Sequence, residues 1–266
     1  MALANGSNMS AFQRRALIQD LLAKNTLIEV RELSETLGAS ETSIRRDLAF
    51  LERQGFLSRV HGGAVLAESG EGGRPFALKV QLHAEEKRRI GRRVAELVQP
   101  GDHVILDSGS TVVEVARHLQ ADGARREGRV TVITGSLPVI QMLGHRPGFD
   151  IVIIGGLFFP EYEMVVGPQA TAFLRDLNAD KFIMAADGVT FERGYTTNHP
   201  LEAELMREMA RVSRETIVVA DSSKIGRSGF VSVLPARSVQ YLVTDSSAPE
   251  GFVRQVEELG VRVLLT

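Results

Sequence analysis

Cysteine is absent from the 266 residues, so the chain has neither a disulfide framework nor a thiolate metal site. That fits a reducing cytoplasm. The six histidines, at positions 61, 83, 103, 118, 145 and 199, show no H-E-x-x-H or other ligand spacing, and no metal or cofactor is expected. His199, near Asp187 and Glu202 in sequence, is the one histidine to watch, and a surface position is expected for it. The G-x-G-x-x-G, G-x-x-x-x-G-K-[ST] and G-x-S-x-G patterns are also missing, which removes dinucleotide, P-loop and hydrolase-elbow readings. Met1–Ser10 carries no basic or apolar region of a signal peptide. No apolar run approaches the roughly 18 residues that span a bilayer, so no membrane contact is expected. Nor is there a large charge of one sign: 31 Lys/Arg against 33 Asp/Glu leaves −2. Residues 11–66 hold eight basic and seven acidic side chains, a balance of only +1. A nucleic-acid role would have to come from where the arginines sit.

What is present suits about two domains. A hydrophobic share of 44% against 24% charged lets a core form without staples. Residues 11–24 place Ala16, Leu17, Leu21 and Leu22 on one helical stripe. VRELSETL at 30–37 predicts a second helix closed by Gly38. Ser40 is a good N-cap for a third, at about 41–54, with Ile44, Leu48 and Leu51 facing the core. FLSRV, HGG and AVLA then read as two short strands around a glycine turn. These elements define a first domain over 11–66. Residues 67–80 read as a linker, and residues 81–266 as a second domain.

In the second domain a helix is expected at 83–98. Strand-like runs follow at His103–Asp107, Val130–Thr134, Asp150–Ile154, Lys181–Ala186, Thr216–Asp221 and Val239–Thr244. Helical stretches fall between most of them, which predicts a mainly parallel, Rossmann-like sheet covered by helices. Ligands of such sheets bind outside the carboxyl ends of the strands.

The third helix carries Thr42, Ser43, Arg45 and Arg46 in its first turns, where a recognition helix meets base edges and phosphates. Arg59, His61 and Gly62 fall at the glycine turn, in reach of a DNA backbone if that turn is a wing. Periodicity alone leaves a second reading open: a small interaction domain whose arginines pair on the surface, Arg45 having Glu41 and Glu52 within reach. The motifs decide between them. VRELSETLGAS, SIRRDLAFLE and QGFLSRVHGGA resemble the N-terminal domain of the DeoR family of bacterial regulators, with Ser43 where the family more often has Thr. The resemblance implies a winged helix-turn-helix that binds double-stranded operator DNA, with Arg45, Arg46 and Arg59 as contacts. Ser40, Thr42, Ser43, His61 and Gly62 complete the expected DNA-binding set.

Asp107-Ser108-Gly109-Ser110-Thr111 ends a strand and opens a helix, a place suited to an anion. A plain strand–helix turn is the other reading of that loop. Further polar loops end the other strands: Thr134-Gly135-Ser136, Gly155-Gly156, Asp187-Gly188, Asp221-Ser222-Ser223-Lys224 and Thr244-Asp245. Asp187 is placed to accept from sugar hydroxyls and Lys224 to neutralise a phosphate, with a buried structural Asp–Lys pair as the alternative. LDSGST, TGS, IGG, ADG, ADSSK and VTD resemble the DeoR-family C-terminal domain in order, Gly135 standing where the family usually shows Asn. That domain is similar to ribose-5-phosphate isomerase. The resemblance implies a phosphorylated sugar effector bound by Asp107–Thr111, Gly135, Ser136, Gly155, Gly156, Asp187 and Lys224. It also implies a homo-oligomer. The rival is a sugar-phosphate isomerase with an appended DNA-binding module. Its motif Asp-Gly-Ala-Asp is Asp187-Gly188-Val189-Thr190 here, so the second carboxylate is lost, and no lysine occurs over 188–200. Glu202 and Glu204 remain nearby. Binding without turnover is expected, with no catalytic residue.

Overall fold

A computed structural model describes residues 9–24, 27–53, 57–60, 62–66, 76–123 and 128–266. The chain separates into two compact units, Met1–Leu82 and His83–Thr266. Each is taken by itself.

The first unit holds α1 (Ala11–Lys24), β1 (Leu27–Glu29), α2 (Val30–Leu37), α3 (Glu41–Arg53), β2 (Leu57–Val60), β3 (Gly63–Leu66) and α4 (Phe76–Gln81). Local chemistry sets its boundaries. Ser10 and Gln13 cap α1 reciprocally, Gln13 N–H donating to Ser10 Oγ at 3.2 Å and Ser10 N–H to Gln13 Oε1 at 3.1 Å. Gly38 closes α2 at φ 59°, a left-handed conformation that costs glycine little. Ser40 Oγ accepts from Ser43 N–H at 3.3 Å and caps α3. The strands form one antiparallel sheet in the order β1-β3-β2. The core comprises Ile18, Leu22, Ile28, Leu33, Leu37, Ile44, Leu48, Leu51 and Leu57. The stripe expected on α1 is therefore shifted. Ile18 and Leu22 are buried and Leu17 is 39% exposed, because the helix turns its 18/22 face toward the core. Of the segment read as a linker, residues 67–75 lie outside the described residues, and α4 occupies all of the remainder.

The second unit opens with α5 (Ala84–Ala95), shorter than the 83–98 expected. Its seven-stranded sheet is built from β4 (His103–Leu106), β5 (Val130–Thr134), β6 (Phe149–Ile153), β9 (Ala179–Ala185), β12 (Ser213–Val219), β14 (Tyr241–Thr244) and β15 (Arg262–Leu265). Between them lie α6 (Ser110–Gly123), α7 (Leu137–Leu143), α8 (Pro168–Leu174), α9 (Pro200–Arg211) and α10 (Glu250–Glu258). All neighbouring pairs are parallel. Val104, Ile105 and Leu106 are all buried, as a strand covered on both faces requires. Ile105, Phe182, Met184 and Val218 share one core with Leu174 of α8 and Ala203, Met206 and Met209 of α9. Three features were not anticipated: the edge strand β15, the hairpin of β7 (Leu157–Phe159) with β8 (Met164–Val166), and a small antiparallel sheet of β10 (Gly188–Thr190), β11 (Gly194–Thr197) and β13 (Val231–Leu234).

The order across the large sheet is β6-β5-β4-β9-β12-β14-β15. The chain steps from β4 to one edge, returns to β9, and steps to the other. The direction of travel reverses between β4 and β9. A crevice is therefore expected outside the carboxyl ends of those two strands.

Candidate functional site

In the first unit, α3 buries one face and exposes the other. Ile44, Leu48 and Leu51 are buried on α3, while Thr42, Arg45 and Arg46 are exposed. Ser43 is half-buried and shares a hydrogen bond with Ser40 Oγ at 3.0 Å, so both hydroxyls serve the cap as well as the face. Arg45 pairs with Glu41 at 2.6 Å, as its spacing allows, but Glu52 is taken elsewhere. Its carboxylate accepts from Arg59 twice, from the backbone N–H at 3.0 Å and from Nε at 2.6 Å. Those bonds from Arg59, the backbone one foremost, hold the Glu52 carboxyl below the ordinary glutamate range. They also tie β2 to α3. Arg46 has no ion pair with a described residue. Gly62 forms the turn between β2 and β3 at φ 85°. His61 lies outside the described residues.

One side chain on α3 contradicts its polarity. Asp47 is only 1% exposed. It receives Arg14 Nε at 2.5 Å and Arg15 Nε at 2.8 Å, and Arg15 also lies 3.8 Å over the Phe50 ring. The two arginines of α1 thus clasp α3 from its buried side.

In the second unit the crevice at the β4/β9 reversal is polar. Asp107 is the first residue beyond β4, and its Oδ2 accepts from Ala185 N–H at 3.1 Å, joining the two strand ends. Gly109 takes φ 131°, and a Cβ there would stand 2.7 Å from Ala185 Cβ, so only glycine lets the loop lie this close to β9. Ser110 and Thr111 are buried in the first turn of α6. Asp187, just past β9, is gripped through Oδ2 by Asn198 Nδ2 at 2.9 Å, Asn198 N–H at 3.2 Å and Thr197 Oγ1 at 3.3 Å. Thr197 Oγ1 also bonds to the buried Glu202, whereas Glu204 is exposed. The β7–β8 hairpin lines another side, with Ser108 Oγ donating to Met164 Sδ at 2.9 Å. Lys224 follows β12, and its neighbour Ile225 bridges to Val189 beside Asp187.

Two groups here titrate unusually. Burial, reinforced by the nearby charge of Asp187, pushes the Asp107 carboxyl up to about 7, and its amide bonds only partly offset this. Burial likewise brings Lys224 down to about 8, helped by the charge of Arg227. An aspartate raised in the native state binds more protons folded than unfolded between pH ~4 and its native value. Stability should therefore fall as pH rises through that interval, the loss being complete above about 7. Asp107→Asn removes this titration. Its thermal midpoint should lack the part of the decline that the wild type shows between about pH 4 and 7. Equal declines in the two proteins would mean that Asp107 ionises normally.

Several buried polar atoms at the strand ends lack a hydrogen-bond partner among the described residues: Asp107 Oδ1, Ser136 Oγ, Asp221 Oδ2 and Thr244 Oγ1. Ser136 holds the N-cap position of α7 without making a cap bond. Gly135 is buried under the hairpin, its carbonyl accepting from Val165 N–H at 3.0 Å. Gly155 and Gly156 stand beyond β6 at the sheet edge, two strands from β4, and lead into β7. The structure thus gathers Asp107–Thr111 and Asp187 at the reversal, with Lys224 beside the Asp187 loop, while Gly135 and Gly156 both pack against Val165 of the hairpin. Thr197, Asn198 and Met164 are additional neighbours that no local motif marked.

The chain matches the DeoR C-terminal sensor domain over residues 82–246 and the DeoR-like helix-turn-helix domain over residues 14–70. It is similar to the transcriptional repressor AccR of Agrobacterium fabrum, 35% identical over 238 residues, covering 89% of this chain and 90% of that one. It is also similar to the HTH-type transcriptional repressor GlcR of Bacillus subtilis, 30% identical, covering 96% of each chain. Among solved structures, a ribose 5-phosphate isomerase A from Methanocaldococcus jannaschii aligns at 17% identity and a TM-score of 0.40, over 53% of this chain and 54% of that one. No described helix is long and apolar enough to cross a membrane. With both of its units matched by the two domains of one family, the protein belongs to the DeoR family of DNA-binding transcriptional regulators.

Proposed function

We propose that the protein represses a carbohydrate catabolic operon in the cytoplasm and leaves its operator when a phosphorylated sugar enters the β4/β9 crevice. The observation that carries this reading is the loop Asp107–Thr111. It places buried hydroxyls and the first N–H groups of a 14-residue helix at the point where the sheet reverses direction. Such a helix end favours an anion, and Lys224 adds a positive charge beside the Asp187 loop. Asp187 and its neighbours supply acceptors and donors for hydroxyls. Thr42, Ser43, Arg45, Arg46 and Arg59 make the operator contacts. The protein acts as a homo-oligomer, since helix-turn-helix proteins read paired half-sites about 34 Å apart. The effector shifts operator binding by its greater affinity for the state that does not bind DNA.

The test is calorimetry with matched pairs of sugar and sugar phosphate. The phosphorylated member should bind far more tightly. Lys224→Ala should weaken it by about 1.5–3 kcal/mol, or one to two decades, and raise the effector concentration needed for operator release. Equal affinity for both members of every pair would remove phosphate from the reading.

Catalysis is not part of the proposal. Thr190, where the isomerase motif has its second carboxylate, is spent on the turn that follows β10, its Oγ1 accepting from Arg193 N–H at 3.0 Å. Asp187 is held by Asn198 and Thr197. A spectroscopic assay should detect no conversion of ribose 5-phosphate to ribulose 5-phosphate. Steady turnover that disappears in Asp187→Ala would make the protein an isomerase instead.

A further inference from the structure

His199 is half-buried, with its ring packed rather than free in solvent. Its ring packs 4.2 Å from the Phe159 ring, centroid to centroid, and Phe159 stacks on Tyr162 at 5.4 Å. Across the hairpin Phe159 pairs with Met164, the residue that receives the Ser108 hydroxyl. The same hairpin therefore touches the loop that opens α6 and the side chain of His199. On its other side His199 follows Asn198 directly, and Asn198 holds Asp187 at 2.9 Å. His199 thus stands where the hairpin meets the Asp187 wall of the crevice.

Its Nδ1 is sealed from solvent and has no hydrogen-bond partner among the described residues. A neutral imidazole carries one donor and one acceptor, and either one left buried and unpaired costs free energy. The usual structural use of a polar residue at this position is missing too. His199 is the N-cap residue of α9, yet its side chain makes no cap bond. Packing accounts for the ring but not for the nitrogen.

We infer that His199 is a specificity-determining residue of the sensor crevice, its ring turning the unpaired Nδ1 to a hydroxyl of the sugar portion as the ligand enters beside Phe159. This rests on the sugar-phosphate reading of the crevice and adds the residue that sorts its ligands. Inorganic phosphate, which has no sugar portion, does not use it.

The experiment is calorimetry on the full chain with ribose 5-phosphate, glucose 6-phosphate, fructose 1-phosphate and inorganic phosphate. Wild type is compared with His199→Phe, which keeps a ring against Phe159 and removes the nitrogens, and with His199→Asn, which restores a polar group near the Nδ1 position. The expected result is sugar-phosphate affinity about tenfold weaker in His199→Phe, inorganic phosphate affinity unchanged, and most of the loss recovered in His199→Asn. Undiminished sugar-phosphate affinity in His199→Phe would overturn the inference. So would a parallel loss for sugar phosphate and inorganic phosphate, because His199 would then act only through the fold. A wild type that binds none of the three sugar phosphates would defeat the underlying reading and this inference with it.

Discussion

Asp47→Ala is expected to loosen the whole first unit while leaving the second intact. Removing the carboxylate strands two arginine charges against apolar surface, Arg14 and Arg15 being 15% and 26% exposed. Breaking a buried pair costs about 3–5 kcal/mol. Partial exposure of the arginines places this case near the lower end, at about 3 kcal/mol. For a unit of this size that lowers the midpoint by roughly 12–24 °C. Amide hydrogen exchange would localise the effect, with protection lost across α1 and α3 and retained in β4, β9 and β12. Operator binding would fail with it, although Asp47 touches no DNA. Unchanged protection of α3 in the variant would show that the clasp contributes little.

The paired substitution Arg45→Ala with Arg46→Ala should act in the opposite manner, abolishing operator affinity with little change in stability. Each arginine is expected to supply about 1–3 kcal/mol if it makes a good base or phosphate contact. The double variant therefore loses about 2–6 kcal/mol, or roughly one and a half to four decades. The two contributions will differ. Arg45 must first release Glu41, and such an exposed helical pair is worth a few tenths of a kcal/mol. Arg46 has no such partner among the described residues. A gel-shift titration across salt concentrations separates the roles: a lost phosphate contact reduces the salt slope by about one, a lost base contact does not. Wild-type affinity in the double variant would remove α3 from the interface.

Where local chemistry decides structure, the sequence was readable. Gly38 and Ser40 bound α2 and α3 because left-handed glycine and a hydroxyl N-cap act within four residues of themselves. The strand runs before Asp107, Gly135 and Asp187 were legible because a strand buried on both faces is apolar throughout. What stayed hidden depends on partners far away in the chain. Asp47 scores as surface by its polarity, and only Arg14 and Arg15, 33 and 32 residues earlier, make its burial tolerable. Leu17 and Ile18 are equally apolar, and the choice between them is made by how α1 sits on the core. The grip of Asn198 on Asp187 spans a hairpin whose short strands carry no strong alternation. His199 was noticed for its neighbours in sequence, but the packing of its ring depends on Phe159, 40 residues away. Glu52 lay within helical reach of Arg45 and was instead taken by Arg59 of the next strand.

The clasp on Asp47 has a consequence for how this regulator can change. Because α3 is fastened through its buried side, the exposed positions 42, 45 and 46 carry none of the anchoring. With the operator contacts proposed above, recognition and attachment fall on opposite faces of one helix. On that reading, mutational drift at the outer face would retarget the protein to a different promoter without a stability penalty. In the laboratory, the same three positions can be randomised as a library while every member retains its anchor.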